Sequence, residues 1–277
     1  MSLFRIWAGT LFLGMPAVLL AQSCHPGDFA AFGKDPAFQA AHPVPQPIDT
    51  AGLSGVWLTV PTAGGVPARL YSSRADLRSA SAVLLIFHEW WGLTAAVQQE
   101  VLQWAAELPG AVVVAVDLYD GKKTDSPQEA ARLMQAVSEQ RIWAILQGVL
   151  AALPRTARIA TLGWCFGGGW ALQMALLAGD QAAGCVMYYG MPELELERLR
   201  KLHCPVLGIF ARRDRWITPQ LVQRFQQAMR RAGKQLTVVS YDADHAFANP
   251  SNPQFDSRAA EDARRRAREF IRKHLLR

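Results

Sequence analysis

Four residue types recur in this chain at places where chemistry is expected: Glu89 in HEWWG, Cys165 in GWCFGGGW, Asp214 in RRDRW and His245 in DADHAF. Cys165 stands between Gly163 and Gly167. A strand that turns abruptly into a helix strains the residue at the turn and excludes bulk two places before and two places after it, so G-x-C-x-G suits a nucleophile held on a sharp elbow. The helix amino terminus favours a thiolate there and leaves the Phe166 N–H free to donate to an oxyanion. Asp214 and His245 then follow in the order nucleophile, acid, histidine. A histidine takes the thiol proton and a buried carboxylate fixes its tautomer, which is the chemistry of acyl transfer. The plain alternative is that the glycines only permit close helix packing, with Cys165 a small core residue. Asp242 and Asp244 compete with Asp214, but both lie awkwardly close to His245 in sequence.

These residues need elements to carry them. Apolar or β-branched runs at 55–60, 67–73, 82–89, 111–119, 157–164, 184–190, 205–212 and 236–242 read as strands. Helical candidates lie near 94–108, 126–153, 167–179, 218–232 and 258–275. Continuous apolar strands separated by helices predict an α/β fold with a mostly parallel central sheet covered on both faces. Functional groups in such a sheet gather at the carboxyl ends of the strands. Glu89, Cys165, Asp214 and His245 each fall at or just past such an end. Among the other histidines, only His88 comes close to a comparable position.

The first 23 residues are set apart from the fold. Arg5, an apolar stretch from Ile6 to Leu20, and small or polar residues at Ala21 and Ser23 form a secretory signal pattern, which places the mature protein in the periplasm or outside the cell. Anchoring through an uncleaved signal is the alternative, but the stretch is shorter than the ~20 residues a span needs. Cys24 gives a poor lipidation signal. Residues 24–54, rich in proline, read as an irregular lead-in, and 55–277 as one catalytic domain. Cys185 and Cys204 lie in or beside apolar runs and read as buried free thiols, with a mutual bridge as the alternative. The net charge of +6 is concentrated in the amphipathic segment 258–277, whose basic side reads as a solvated face. No nucleic-acid motif accompanies it.

With these motifs in place, the chain resembles the dienelactone hydrolase family, the cysteine branch of the α/β-hydrolase superfamily. The likeness runs from about Gly55 to Leu276 and rests on HEWWG, DLYDGK, GWCFGGGW, YYG, RRDRW and DADHAF in order. It implies an α/β-hydrolase fold with Cys165 as nucleophile, Asp214 and His245 completing the triad, and Glu89 holding the resting cysteine until substrate frees the thiolate. The loop after the third strand is expected to supply a second oxyanion donor, the N–H of Trp90. Glu89 bridging to an arginine is the competing expectation for that carboxylate. The implied reaction is hydrolysis of a lactone or activated ester through an acyl-thioenzyme, without metal or organic cofactor.

The family's arginine grip on a substrate carboxylate is missing. The matching places hold Asp120, Gly121 and Lys122, and, four residues after His245, Asn249. The grip is either lost or moved to Lys122, Lys123, Arg212 or Arg213. Trp90, Trp91, Trp164 and Trp216 suggest an apolar or aromatic pocket, core packing being the equal alternative. Candidate substrate contacts are Trp91, Lys122, Arg212, Trp216 and Asn249. The expected protein is a monomer acting on a small-molecule ester or lactone, with no nucleic-acid partner and no membrane contact beyond an uncleaved signal or the basic closing helix. Rival readings are a thioesterase or peptide-bond hydrolase, and a non-catalytic envelope binding protein.

Overall fold

The computed structural model describes residues 26–42, 44–46, 49 and 51–277. The signal-like stretch and Cys24 lie outside the described residues. Eight strands form one sheet: β1 (Val56–Val60), β2 (Ala68–Ser72), β3 (Ala82–Phe87), β4 (Val112–Val116), β5 (Arg158–Trp164), β6 (Ala182–Tyr188), β7 (Val206–Ala211) and β8 (Leu236–Tyr241). Their order across the sheet is β1-β2-β4-β3-β5-β6-β7-β8. β1 and β2 are antiparallel to their neighbours, and every pair from β4 to β8 is parallel.

The central strands are buried along their whole length, AVLLIF in β3 and VVVAV in β4 among them. Side chains on both faces of these strands are shielded from water, so the alternation of a one-sided sheet is absent and branched apolar residues fill both directions. Helices α2 (Ala95–Glu107) and α8 (Ser257–Leu275) belong to one covering layer, joined where Arg264 bonds Glu100 at 2.8 Å and Glu107 at 2.9 Å. Helices α4 (Glu139–Ala152) and α5 (Phe166–Ala178) pack on one another, and α5 runs against β3, β5 and β6. In α8, Ala259, Ala263, Ala267, Ile271 and Leu275 turn inward, while Arg258, Arg265, Arg266 and Arg272 face out and Arg264 lies against α2. This is the amphipathic closing helix its spacing predicts.

Two expectations need correction. The segment 126–153 is two helices, α3 (Pro127–Ala136) and α4, because Val137 is extended and the Ser138 hydroxyl accepts from the Arg141 N–H at 3.1 Å, starting a new helix. The lead-in is also not irregular throughout. Pro26–Lys34 forms 3-10 turns and Pro36–Ala40 the short helix α1. Asp35 caps α1 by accepting from the Ala37 N–H at 2.9 Å, and Pro36 supplies the preset φ of a first helical residue. Phe29 and Phe38 of this segment are fully buried. A short helix, α6 (Leu196–Leu199), and a longer one, α7 (Pro219–Arg231), complete the order.

Candidate active site

Cys165 ends β5 and caps α5 with φ 53° and ψ −120°, a strained conformation for a residue with a β-carbon. The flanking glycines explain how it is tolerated. A Cβ on Gly163 would sit 2.2 Å from the Gly167 carbonyl oxygen, and one on Gly167 would sit 2.3 Å from the oxygen of Phe87 and 2.4 Å from that of His88. All three clashes are with backbone. The elbow thus depends on three chain segments in close contact, which is why glycine stands on both sides of the thiol.

Three side chains from three strand ends meet. His245 Nε2 lies 3.4 Å from Cys165 Sγ, and His245 Nδ1 lies 2.6 Å from Asp214 Oδ2. The other Asp214 oxygen accepts the N–H groups of Trp216 and Ile217, each at 2.9 Å. Burial acts to raise the Asp214 carboxyl, but the His245 charge, the His245 hydrogen bond and these two N–H groups outweigh it and hold it below its ordinary value. A carboxylate accepts only, so the Nδ1 proton is fixed on His245 and the Nε2 lone pair points at the thiol. Asp242 and Asp244, the competing acids, instead pair with Arg213 at 2.7 and 3.1 Å.

Burial pushes the Cys165 thiol well above its usual range, and the neighbouring Glu89 adds to this. The backbone N–H groups of Phe166 and Trp90 lie toward the sulfur and act the other way. Burial and Glu89 thus favour the thiol over the thiolate at this position. The same two N–H groups are suited to a developing oxyanion, since Phe166 is the first residue of α5 and its N–H has no partner within the helix.

Glu89 follows β3 and is partly buried. Its Oε2 accepts from Asn249 Nδ2 at 2.6 Å, while Oε1 has no hydrogen-bond partner. Burial raises its carboxyl to about 7 against the opposing pull of His245 and Asn249. The expected arginine partner is replaced by Asn249. That asparagine also accepts the N–H and hydroxyl of Ser251 through Oδ1, so its amide is engaged with Glu89 and its own loop rather than offered to substrate. His88 is structural: its Nδ1 donates to the Glu89 carbonyl at 2.6 Å and its Nε2 accepts from the Leu118 N–H at 3.0 Å, tying the Glu89–Trp90 loop to the end of β4.

The remaining candidates scatter. Lys122 and Arg212 are exposed, as are Lys123 and Arg213, whereas Cys165 has 0% of its surface in contact with solvent. Trp91 is buried against Trp90. Trp216 packs edge-on to His245 at 5.7 Å, and its Nε1 donates to Asp35 Oδ2 at 3.1 Å. Trp164 pairs with Tyr188. Cys185 and Cys204 are free and buried, and burial raises the Cys185 thiol to about 12.

Residues of the lead-in were not anticipated here. Phe29 and Phe38 approach the His245 ring at 6.3 and 5.9 Å, Phe38 meets Trp90 and Trp216 edge-on, and His42 comes within 5.3 Å of His245, centroid to centroid. The available signal was DPAF, an N-cap aspartate, a first-turn proline and a buried aromatic. Beside this segment, a cleft of about 390 Å³ lined by Asp28, Ala30, Met134, Gln135, Ile142 and Phe166 runs up to the residue that follows the thiol.

No helix of the described residues is long and apolar enough to cross a membrane. The dienelactone hydrolase family model matches residues 66–275. A carboxymethylenebutenolidase of a Pseudomonas species is 28% identical over 211 residues, covering 71% of this chain and 86% of its own. The fold matches a dienelactone hydrolase-like promiscuous phosphotriesterase from metagenomic libraries (TM-score 0.66, 17% identity, 79% of this chain and 98% of the other). It also matches a thermostable esterase from Pseudomonas putida (TM-score 0.59, 19% identity, 90% of each). The family match spans the sheet from β2 onward and contains Glu89, Cys165, Asp214 and His245: the chain belongs to the dienelactone hydrolase family.

Proposed function

We propose that this ester or lactone hydrolase works through a Cys165–His245–Asp214 triad and an acyl-thioenzyme. The observation that carries the reading is the continuous line Sγ to Nε2 at 3.4 Å and Nδ1 to Oδ2 at 2.6 Å, beneath a strained elbow. As the substrate carbonyl approaches, the thiol proton passes to His245 Nε2 while the sulfur bonds to the acyl carbon, and Asp214 stabilises the imidazolium. The N–H groups of Phe166 and Trp90 hold the oxyanion. Collapse expels the alkoxide, which takes the proton from His245. Water, deprotonated by the same imidazole, then frees the acid and restores the thiol.

Glu89 disfavours a resting thiolate, so the sulfur ionises only when substrate brings a carbonyl to the N–H pair. Phe29, Phe38, Tyr189 and Trp216 pack around the His245 ring, Trp90 lies against Phe38, and these aromatic surroundings favour an apolar or aromatic acyl group over the carboxylated lactone an arginine grip would select. The cleft beside Phe166 is the route of entry. Export to the periplasm or beyond, through the signal-like first 23 residues, belongs to the same proposal.

The test is covalent trapping. Mixing the protein with p-nitrophenyl acetate, quenching in acid and mapping peptides by mass spectrometry is expected to place one acetyl group on Cys165. Acetylation elsewhere, with burst kinetics intact, would remove the thiol from the mechanism.

A further inference from the structure

His42 has no part in the triad, yet one ring nitrogen of His42, one of His245 and Cys165 Sγ all lie within 4.8 Å of one another, and all three residues are buried. The protonation pattern makes this more than proximity. His42 Nδ1 lies 2.7 Å from the Phe38 carbonyl oxygen, which only accepts, so the ring proton sits on Nδ1 and the lone pair on Nε2. That Nε2 is enclosed and has no hydrogen-bond partner, in a residue only 4% exposed. His245 is set up in the same way by Asp214. Two imidazole lone pairs and one thiol therefore converge, each ring held from behind by an acceptor. This is the outer support that metal-binding histidines carry.

We infer that His42, Cys165 and His245 form a binding site for a soft divalent transition metal of the zinc class, and that metal bound there silences the hydrolase. A tetrahedral ion with nitrogen ligands at about 2.0 Å and a sulfur ligand at about 2.3 Å spaces its ligand atoms about 3.3–3.6 Å apart, so a separation of 4.8 Å must close by about 1.2–1.5 Å. His42 sits just beyond the short helix α1 and packs against Phe38, Trp90 and Trp216, so the closure is a local adjustment of this ring among its aromatic neighbours. Binding breaks the S–H bond of Cys165, forms the metal–thiolate bond and releases one proton to solvent, with no change of oxidation state. It also occupies the His245 lone pair that catalysis needs. The third ligand comes from a segment that precedes the residues matched by the family model, 66–275.

Coordination rests on the geometry alone, while the silencing rests on the thiol mechanism, and the two are read separately. The full chain, reduced and stripped with chelator, is titrated with Co²⁺. A thiolate-to-cobalt charge-transfer band is expected to saturate at one equivalent, to be absent in Cys165→Ser, and to require at least about tenfold more metal in His42→Gln. Hydrolysis of p-nitrophenyl acetate is expected to fall in step with the band and return with chelator. No band in the wild type, or equal affinity in His42→Gln, overturns the site; a saturated band with turnover undiminished overturns the silencing. Should His42→Gln fail to fold, X-ray absorption of the Zn²⁺-loaded wild type decides: one sulfur and two imidazoles, with water completing the four-coordinate shell, support the site, and a shell lacking the sulfur or either imidazole refutes it.

Discussion

Asn249 donates to one oxygen of Glu89 at 2.6 Å and leaves the other enclosed without a partner. A buried carboxyl in that state keeps its proton up to about pH 7, against 4.5 ordinarily. The folded protein thus binds this proton more tightly than the unfolded chain. Stability from this group is full below pH 4.5 and is lost progressively as pH rises from 4.5 through about 7. The interval corresponds to ~3 kcal/mol. Urea unfolding of wild type and Glu89→Gln at pH 5 and pH 8 is expected to show the variant gaining on the wild type by up to that amount. A pH-independent difference would mean that Glu89 does not titrate there.

The triad predicts a specific effect for Asp214→Asn. The amide can donate to His245 Nδ1, placing the ring proton on Nε2 and removing the base from the thiol. Turnover is expected to fall roughly 10³- to 10⁴-fold with the fold retained. A loss below tenfold, measured by steady-state ester hydrolysis, would show that the carboxylate does not set the tautomer.

Asp35 is half-buried and joins α1 to the site, capping the Ala37 N–H and accepting from Trp216 Nε1. Losing the cap in Asp35→Ala weakens the helix and so loosens the aromatic cover over His245. Iodoacetamide is expected to label Cys165 several-fold faster, as read by peptide mapping. An unchanged rate would show that reagent reaches the thiol by a path that does not involve α1.

Gly167→Ala places a methyl against two backbone oxygens at the end of β3. Neither can withdraw without pulling the Glu89–Trp90 loop, so the cost is expected at about 1–3 kcal/mol or more, with activity falling beyond what the stability loss explains. Thermal melts and turnover on the same sample check both halves.

Most of the architecture was legible because its signals are local. Runs such as AVLLIF and VVVAV leave no other option than buried strands, and each predicted strand has its counterpart. The elbow could be read from steric demand on two glycines. The break at Val137–Ser138 was less visible, since one hydroxyl cap inside a long helical pattern competes with good helix formers on both sides. Asn249 and His42 were beyond reach for another reason. Their significance depends on which side chains lie across from them, 160 residues away for Glu89 and Asn249. Periodicity carries no information about such a pairing. The lead-in was misjudged because its prolines outweighed DPAF, although Pro36 starts a helix rather than ending one.

The claim on which the rest depends is that the Cys165 sulfur is the attacking atom. Cys165→Ala removes that atom and little volume, so circular dichroism should match the wild type while p-nitrophenyl acetate hydrolysis drops to the rate of buffer. A folded Cys165→Ala protein that still turns over the ester at a wild-type rate would contradict the account.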